Sequence, residues 1–155
     1  MLLGFAGWCP VVCVRFFLGG FVRMSILYRD LFQVGQVEKN FEKVARILAT
    51  STEEKQNELM LDINVDLYNV TVGDTLEVRF FESYNESYTP ELEKNFRNYH
   101  YVMHGQIYKI EPARDQSKLL IYASFGGLLM RLSGYDQSSV LTVNQNIFIA
   151  LEKKS

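Results

Sequence analysis

Residues 58–68 read ELMLDINVDLY, and the fold class turns on this stretch. Leu59, Leu61, Ile63, Val65 and Leu67 fall on one side of a two-residue period, with Met60, Asp62, Asn64, Asp66 and Tyr68 on the other. A helix would scatter those five apolar side chains around its circumference, whereas an extended chain gathers them on one face against a core. Val72-Gly73-Asp74 then signals a turn. TLEVRFFE, residues 75–82, resumes the alternation with Leu76, Val78 and Phe80 inward. The two segments together read as a β-hairpin or meander unit.

Further along the chain the same period recurs. YVMHGQIYKIE, Tyr101 to Glu111, is a strand ended by Pro112. After a polar break at Asp115-Gln116-Ser117, KLLIYASFGGLLMRLSG holds two apolar runs separated by Gly126-Gly127. That pair marks a sharp bend, a bulge or a close backbone approach, because glycine accepts backbone angles that other residues avoid. Asn146 to Glu152 forms a last strand with Ile147, Ile149 and Leu151 inward, and Ile26–Val34 and Phe41–Leu48 are less regular strands near the start. Helix is scarce. Thr89 to Tyr99 has a capping start, with Thr89 as N-cap and Pro90 at the first helical position. Seven or eight strands without βαβ alternation predict a closed or nearly closed antiparallel barrel, which would leave no strand edge exposed. No internal repeat and no low-complexity tract is visible.

Composition agrees. Hydrophobic residues make up 48% and charged residues 22% of 155, the balance of a globular domain. Aromatics reach 14%, which favours strands. A net charge of −2 gives no overall field that attracts nucleic acid. The first 23 residues stand apart: they hold both cysteines, Cys9 and Cys13, and the only tryptophan, Trp8, with two arginines and no acid. As a signal peptide this stretch has no leading positive charge and no small-residue cleavage site. As a membrane span it is interrupted by Arg15, Pro10 and four glycines. We read residues 1–23 as an apolar extension upstream of a start at Met24, with a targeting segment as the rival, and residues 24–155 as one β-barrel domain for which no membrane is expected. Asn69-Val70-Thr71 and Asn85-Glu86-Ser87 fit the glycosylation pattern and would matter only on the secretory route.

No catalytic set is legible in the sequence. Residues 24–155 have no cysteine, so no thiolate is available there as nucleophile or ligand. His100 and His104 would share one strand face, a conceivable two-histidine metal site that lacks a third ligand; surface or pocket histidines are the plainer reading. Asp62, Asn64 and Asp66 share the polar face of their strand, which is more simply a solvated face than a carboxylate pair for acid–base work. No phosphate loop, nucleophile elbow or zinc-protease motif occurs, and no cofactor or small-molecule substrate is implied. Aromatics such as Tyr28, Phe80, Phe81, Tyr99, Tyr101, Tyr108, Tyr122 and Phe125 are expected to fill the core. Lys39, Lys43, Arg46 and Lys55 gather in one stretch, which could serve single strands or simply be a solvated face.

Three stretches resemble one family. MSILYRDLFQV from Met24, followed by NFEKVARI, is similar to the opening of the common small subunit, eighth in the usual order, of nuclear RNA polymerases I, II and III. LMLDINVDLYNVTVGD resembles its second block. The pair YVMHGQIYKIE and YASFGGLLMRLSG follows the family's order and spacing, with GGLLMRL at Gly126–Leu132 as the most specific string. The resemblance covers nearly all of Met24 to Lys154. It implies an OB-type antiparallel Greek-key barrel, a nuclear location, and a non-catalytic role docked on the largest polymerase subunit in support of assembly. It also implies weak, sequence-independent contact with single-stranded DNA, for which Lys39, Lys43, Arg46 and Lys55 are the cationic candidates. The segment Phe125, Gly126, Gly127, Leu128, Leu129, Met130, Arg131, Leu132 is the candidate docking region: Leu128, Met130 and Leu132 would face the barrel while Leu129 and Arg131 face outward. The chain departs from the family in a shorter loop around Ser83 to Asn98, in His104 where relatives carry tyrosine, in the stretch after Gly134 and in the extension. A free single-strand-binding OB protein, or a secreted or anchored β-domain, are the alternatives.

Overall fold

The computed structural model describes residues 24–53, 56–83, 90–114, 116–134 and 140–155. The extension 1–23, Lys55, the second glycosylation tripeptide and the Thr89 cap all lie outside them. Eight strands form a closed antiparallel barrel: β1 (Ile26–Phe41), β2 (Val44–Ser51), β3 (Glu58–Asn64), β4 (Thr75–Glu82), β5 (Tyr101–Pro112), β6 (Leu119–Phe125), β7 (Leu128–Gly134) and β8 (Asn146–Lys154). Among the described residues there is one short helix, α1 (Pro90–Phe96), between β4 and β5 in sequence.

Around the barrel the order is β1-β2-β3-β7-β6-β5-β8-β4, closing back on β1. β4 therefore lies beside β1 after the β1-β2-β3 run, and β8 lies beside β5 after the β5-β6-β7 run. Each half is a Greek key, three consecutive strands with the fourth returned to the side of the first. The halves meet at equivalent strands, β3 on β7 and β4 on β8. The two long strands play matching parts. The first stretch of β1 pairs with β4 and the second with β2, with a register shift between Val34 and Gln36. The first stretch of β5 pairs with β8 and the second with β6, with a shift between Ile107 and Lys109. A bulge bends a strand and increases its twist, which lets one strand serve two neighbours around a tight curve.

The structure places several strand ends differently from the alternation. β1 runs on through Gly35 to Phe41, because pairing with β2 carries the polar segment that has no pattern of its own. β3 stops at Asn64: the Asn64 side chain accepts from the Asp66 N–H at 2.9 Å, and its carbonyl accepts from the Tyr68 N–H at 3.0 Å. That turn leaves Leu67 73% exposed and buries Tyr68, reversing the faces expected for both. β3 and β4 do not form a hairpin; each pairs with other strands, and the loop between them carries Tyr68 and Val70 into the core. Gly126 and Gly127, at φ 61° and 99°, make the two-residue turn of the β6–β7 hairpin.

Phe32, Phe80, Ile47, Leu61, Ile63, Leu76, Ile107, Met130, Leu132 and Ile149 are among the fully enclosed side chains of a single interior core. A smaller cluster lies outside the barrel wall, where Phe96 and Tyr99 cover Phe81, Phe148 and Ala150. The buried Asp30 carboxylate has no cationic partner among the described residues. It accepts instead from Tyr28 Oη (3.0 Å), Ser51 Oγ (2.9 Å), Asn57 Nδ2 (2.7 Å) and the Leu31 N–H (2.8 Å), which satisfies the charge with neutral donors.

Candidate functional site

The outer surface of β2, β3, β7, β6 and β5 carries an ordered row. Leu48 stands opposite Met60, Met60 opposite Arg131, Arg131 opposite Tyr122, and Tyr122 opposite Lys109. Outward positions of a barrel exposed to water are normally polar; here Leu48, Met60, Tyr122 and the neighbouring Leu129 and Leu120 make much of this face apolar. Tyr108, on the β5 bulge, is 46% exposed and its ring lies 6.1 Å from that of Tyr122. The side-chain types are those enriched at the centre of protein interfaces, Tyr, Met and Arg.

The acidic groups around this row are held by other cations. Arg46 donates to both Asp62 oxygens, at 2.7 and 3.0 Å, and Asp62 also accepts from the Leu129 N–H at 3.2 Å. The Asp62 hydrogen bond raises the Arg46 guanidinium pKa above its ordinary value. Lys109 meets Glu111 at 2.7 Å, and Lys118 lies 3.8 Å from Glu58. Arg131 is half-buried and makes no ion pair or hydrogen bond with a described residue.

Within the candidate docking segment, Phe125, Met130 and Leu132 are buried in the core, and Leu128 packs against it. Gly126 and Gly127 are exposed at the turn. Leu129, 36% exposed, and Arg131 point outward, in line with the alternation. The segment thus supplies two outward side chains to the face. The alternation places Met60 on the outward face of its strand without singling it out, and Leu48 ends an expected strand whose faces the sequence does not assign; the signal that marks both is apolar character at outward positions. Tyr108 and Tyr122, expected in the core, sit on the outer surface instead, Tyr108 because the bulge turns it out.

The basic stretch is divided. Arg46 is committed to Asp62, and Lys43 lies 3.5 Å from Asp66. Lys39 is exposed, and Phe41, close to both lysines at the β1–β2 turn, is 75% exposed. His100 and His104 are exposed; His100 Nδ1 accepts from the Lys153 N–H at 3.0 Å, and His104 Nε2 lies 3.2 Å from Ser83 Oγ. Asp62 and Asp66, both bound to cations, are not a carboxylate pair poised for proton transfer. Among the described residues no three His, Cys, Asp or Glu side chains are grouped to hold a metal ion, and no helix is long and apolar enough to cross a membrane.

The family model described as RNA polymerase Rpb8 matches residues 29–153, which takes in every strand of the barrel but the ends of β1 and β8. The chain belongs to the Rpb8 family. Among its relatives is the Saccharomyces cerevisiae protein named as DNA-directed RNA polymerases I, II, and III subunit RPABC3, 35% identical over 83% of this chain and 99% of its own length. A probable RPABC3 of Caenorhabditis elegans is 32% identical over 83% of this chain and 97% of its own. The Arabidopsis thaliana relative, 32% identical over 83% and 96%, is named for polymerases II, IV and V as subunit 8B. Rpb8 membership makes the chain an RNA polymerase subunit of the non-catalytic kind. A solved structure of the molybdate-binding protein ModG matches 81% of this chain and 89% of its own, with a TM-score of 0.30 at 6% identity, too slight a likeness to argue from.

Proposed function

We propose that this chain is a non-catalytic subunit common to RNA polymerases I, II and III, seated on the largest subunit through the outer face of β2, β3, β7 and β6. The role as a polymerase subunit follows from the family, and other polymerase subunits are its partners. The nucleus is where such enzymes work and is the location we assign. The observation that carries the docking face is the row Leu48–Met60–Arg131–Tyr122, an apolar strip around a guanidinium with no anion among the described residues, on the wall of a closed barrel. At this row each strand is paired on both sides, so a partner here must use the face of the wall and not strand addition.

The test is affinity purification of the tagged full-length chain with mass spectrometry of its partners, followed by cross-linking. Recovery of subunits of all three polymerases, with cross-links from this face to the largest one, supports the reading. Cross-links confined to the α1 side would move the docking face.

Weak single-strand contact is a second reading favoured by one observation, the exposed Phe41 near Lys39 and Lys43. Stacking plus a small cationic surface suits single strands without sequence preference. Phe41→Ala combined with Lys39→Glu should lower oligonucleotide affinity at low salt; unchanged binding would remove the β1–β2 turn from consideration.

A further inference from the structure

We propose that Arg131 is completed by a carboxylate of the partner subunit, carried within an apolar segment that covers Leu48, Met60, Leu129 and Tyr122. The inference rests on the docking face argued above and names the chemistry that fills it. Its basis is the pattern of pairing on that face. Asp62, Glu111 and Glu58 lie on the rows beside Arg131, and their cations are Arg46, Lys109 and Lys118. Asp62 is held by two partners, a two-pronged guanidinium and the Leu129 N–H. Arg131 remains half-buried among Met60, Tyr122 and Leu129 without an anion among the described residues.

Covering an unpaired guanidinium with apolar surface would strip its hydration with nothing in return, so an apolar partner must bring an anion to that point. The planar fork matches a carboxylate in two hydrogen bonds. A nucleic-acid backbone fits less well. Phosphates recur along a strand and need several available cations, whereas Arg46 and Lys109 are already held by acids on this face and the flanking side chains are apolar.

The experiment uses tagged full-length chains carrying R131E, R131K or M60E, expressed in cells, with polymerase recovered on the tag. Thermal unfolding of each purified variant establishes that it is folded. R131E should lower recovered polymerase by about tenfold or more. R131K should retain most of it. In the R131K enzyme a water-soluble carbodiimide should join position 131 by an amide to an Asp or Glu of another polymerase subunit. If R131E recovers as much polymerase as the unaltered chain while M60E loses it, the docking face stands and the carboxylate is refuted. If R131E and M60E both recover polymerase normally, the docking face itself is refuted. A carbodiimide cross-link from position 131 only to acids of this same chain would also overturn the proposal.

Discussion

Gly105 on β5 shows how a single residue type is imposed by what lies across the sheet. A Cβ built there would sit 2.1 Å from the Ser124 carbonyl oxygen and 2.6 Å from Phe125 Cδ1. The Phe125 ring lies over the gap that glycine leaves, so the opening of the signature segment has a structural use in addition to any docking role. The obstructing atom is backbone and cannot swing away. Gly105→Ala should cost about 3 kcal/mol, at the upper end for overpacking, read as a lowered urea midpoint at unchanged slope. Glu77 is the other residue that sequence did not single out. Its alternation suggested a solvated position, yet it is enclosed by Arg29, by Arg79 at 2.8 Å and by Lys154 at 2.7 Å. Burial pushes its carboxyl up, but the hydrogen bonds from Lys154, Arg79 and Arg29 outweigh this and hold it at about 2 against an ordinary 4.5. The folded-state value is depressed, so the stability it contributes is complete above pH 4.5 and is lost as pH falls toward 2. Glu77→Gln should therefore lower stability at neutral pH and flatten the loss of stability across that acid window, as measured by denaturant titrations at several pH values. Patterning alone could not find this residue because one cation from each of two other strands, Arg29 and Lys154, and Arg79 of its own strand converge on it only after folding.

Among the elements, the β6–β7 hairpin is the one most fully written in local sequence. Its two glycines supply positive φ at both turn positions, the twist that fits a two-residue antiparallel loop. Neither meets anything within 4 Å of a built Cβ, so the requirement is conformational and not steric crowding. Gly127→Ala, at φ 99°, should destabilise by about 1–2 kcal/mol, and Gly126→Asn, at φ 61°, by less, since asparagine enters that region readily. Comparison of the two melting curves checks this; equal losses would point to a different turn requirement. The inward faces of β3, β4, β7 and β8 were equally legible, because Leu59, Leu76, Met130 and Ile149 obey the period of two. Three features were not. The end of β3 depends on an Asn64 turn, the length of β1 on its partner strand, and the pairing of β3 away from β4 on contacts distant in sequence. On the candidate face the outward Leu129 and Arg131 were legible from alternation, whereas Met60, Leu48 and Tyr122 join them only through registers that bring four strands side by side.

At the scale of the whole molecule, two Greek keys of like order share one core, although no sequence repeat announces them. Closure depends on both seams, β3 on β7 and β4 on β8, and the second is the longer, running from Thr75 opposite Lys154 to Glu82 opposite Ile147. Removing residues 146–155 would open β4 and β5 together and take Ile147, Ile149 and Leu151 from the interior. Such a truncated chain should fail to fold, with loss of dispersed amide resonances in NMR spectra; a retained native spectrum would mean that the remaining seven strands close without it. The keystone is also the last of the eight barrel strands in chain order, and so the last of them to leave the ribosome. Until it emerges, the nascent chain carries two unpaired strand edges and an incomplete interior, so a prematurely terminated product offers chaperones and proteases a target while offering its assembly partner no finished wall to rest on.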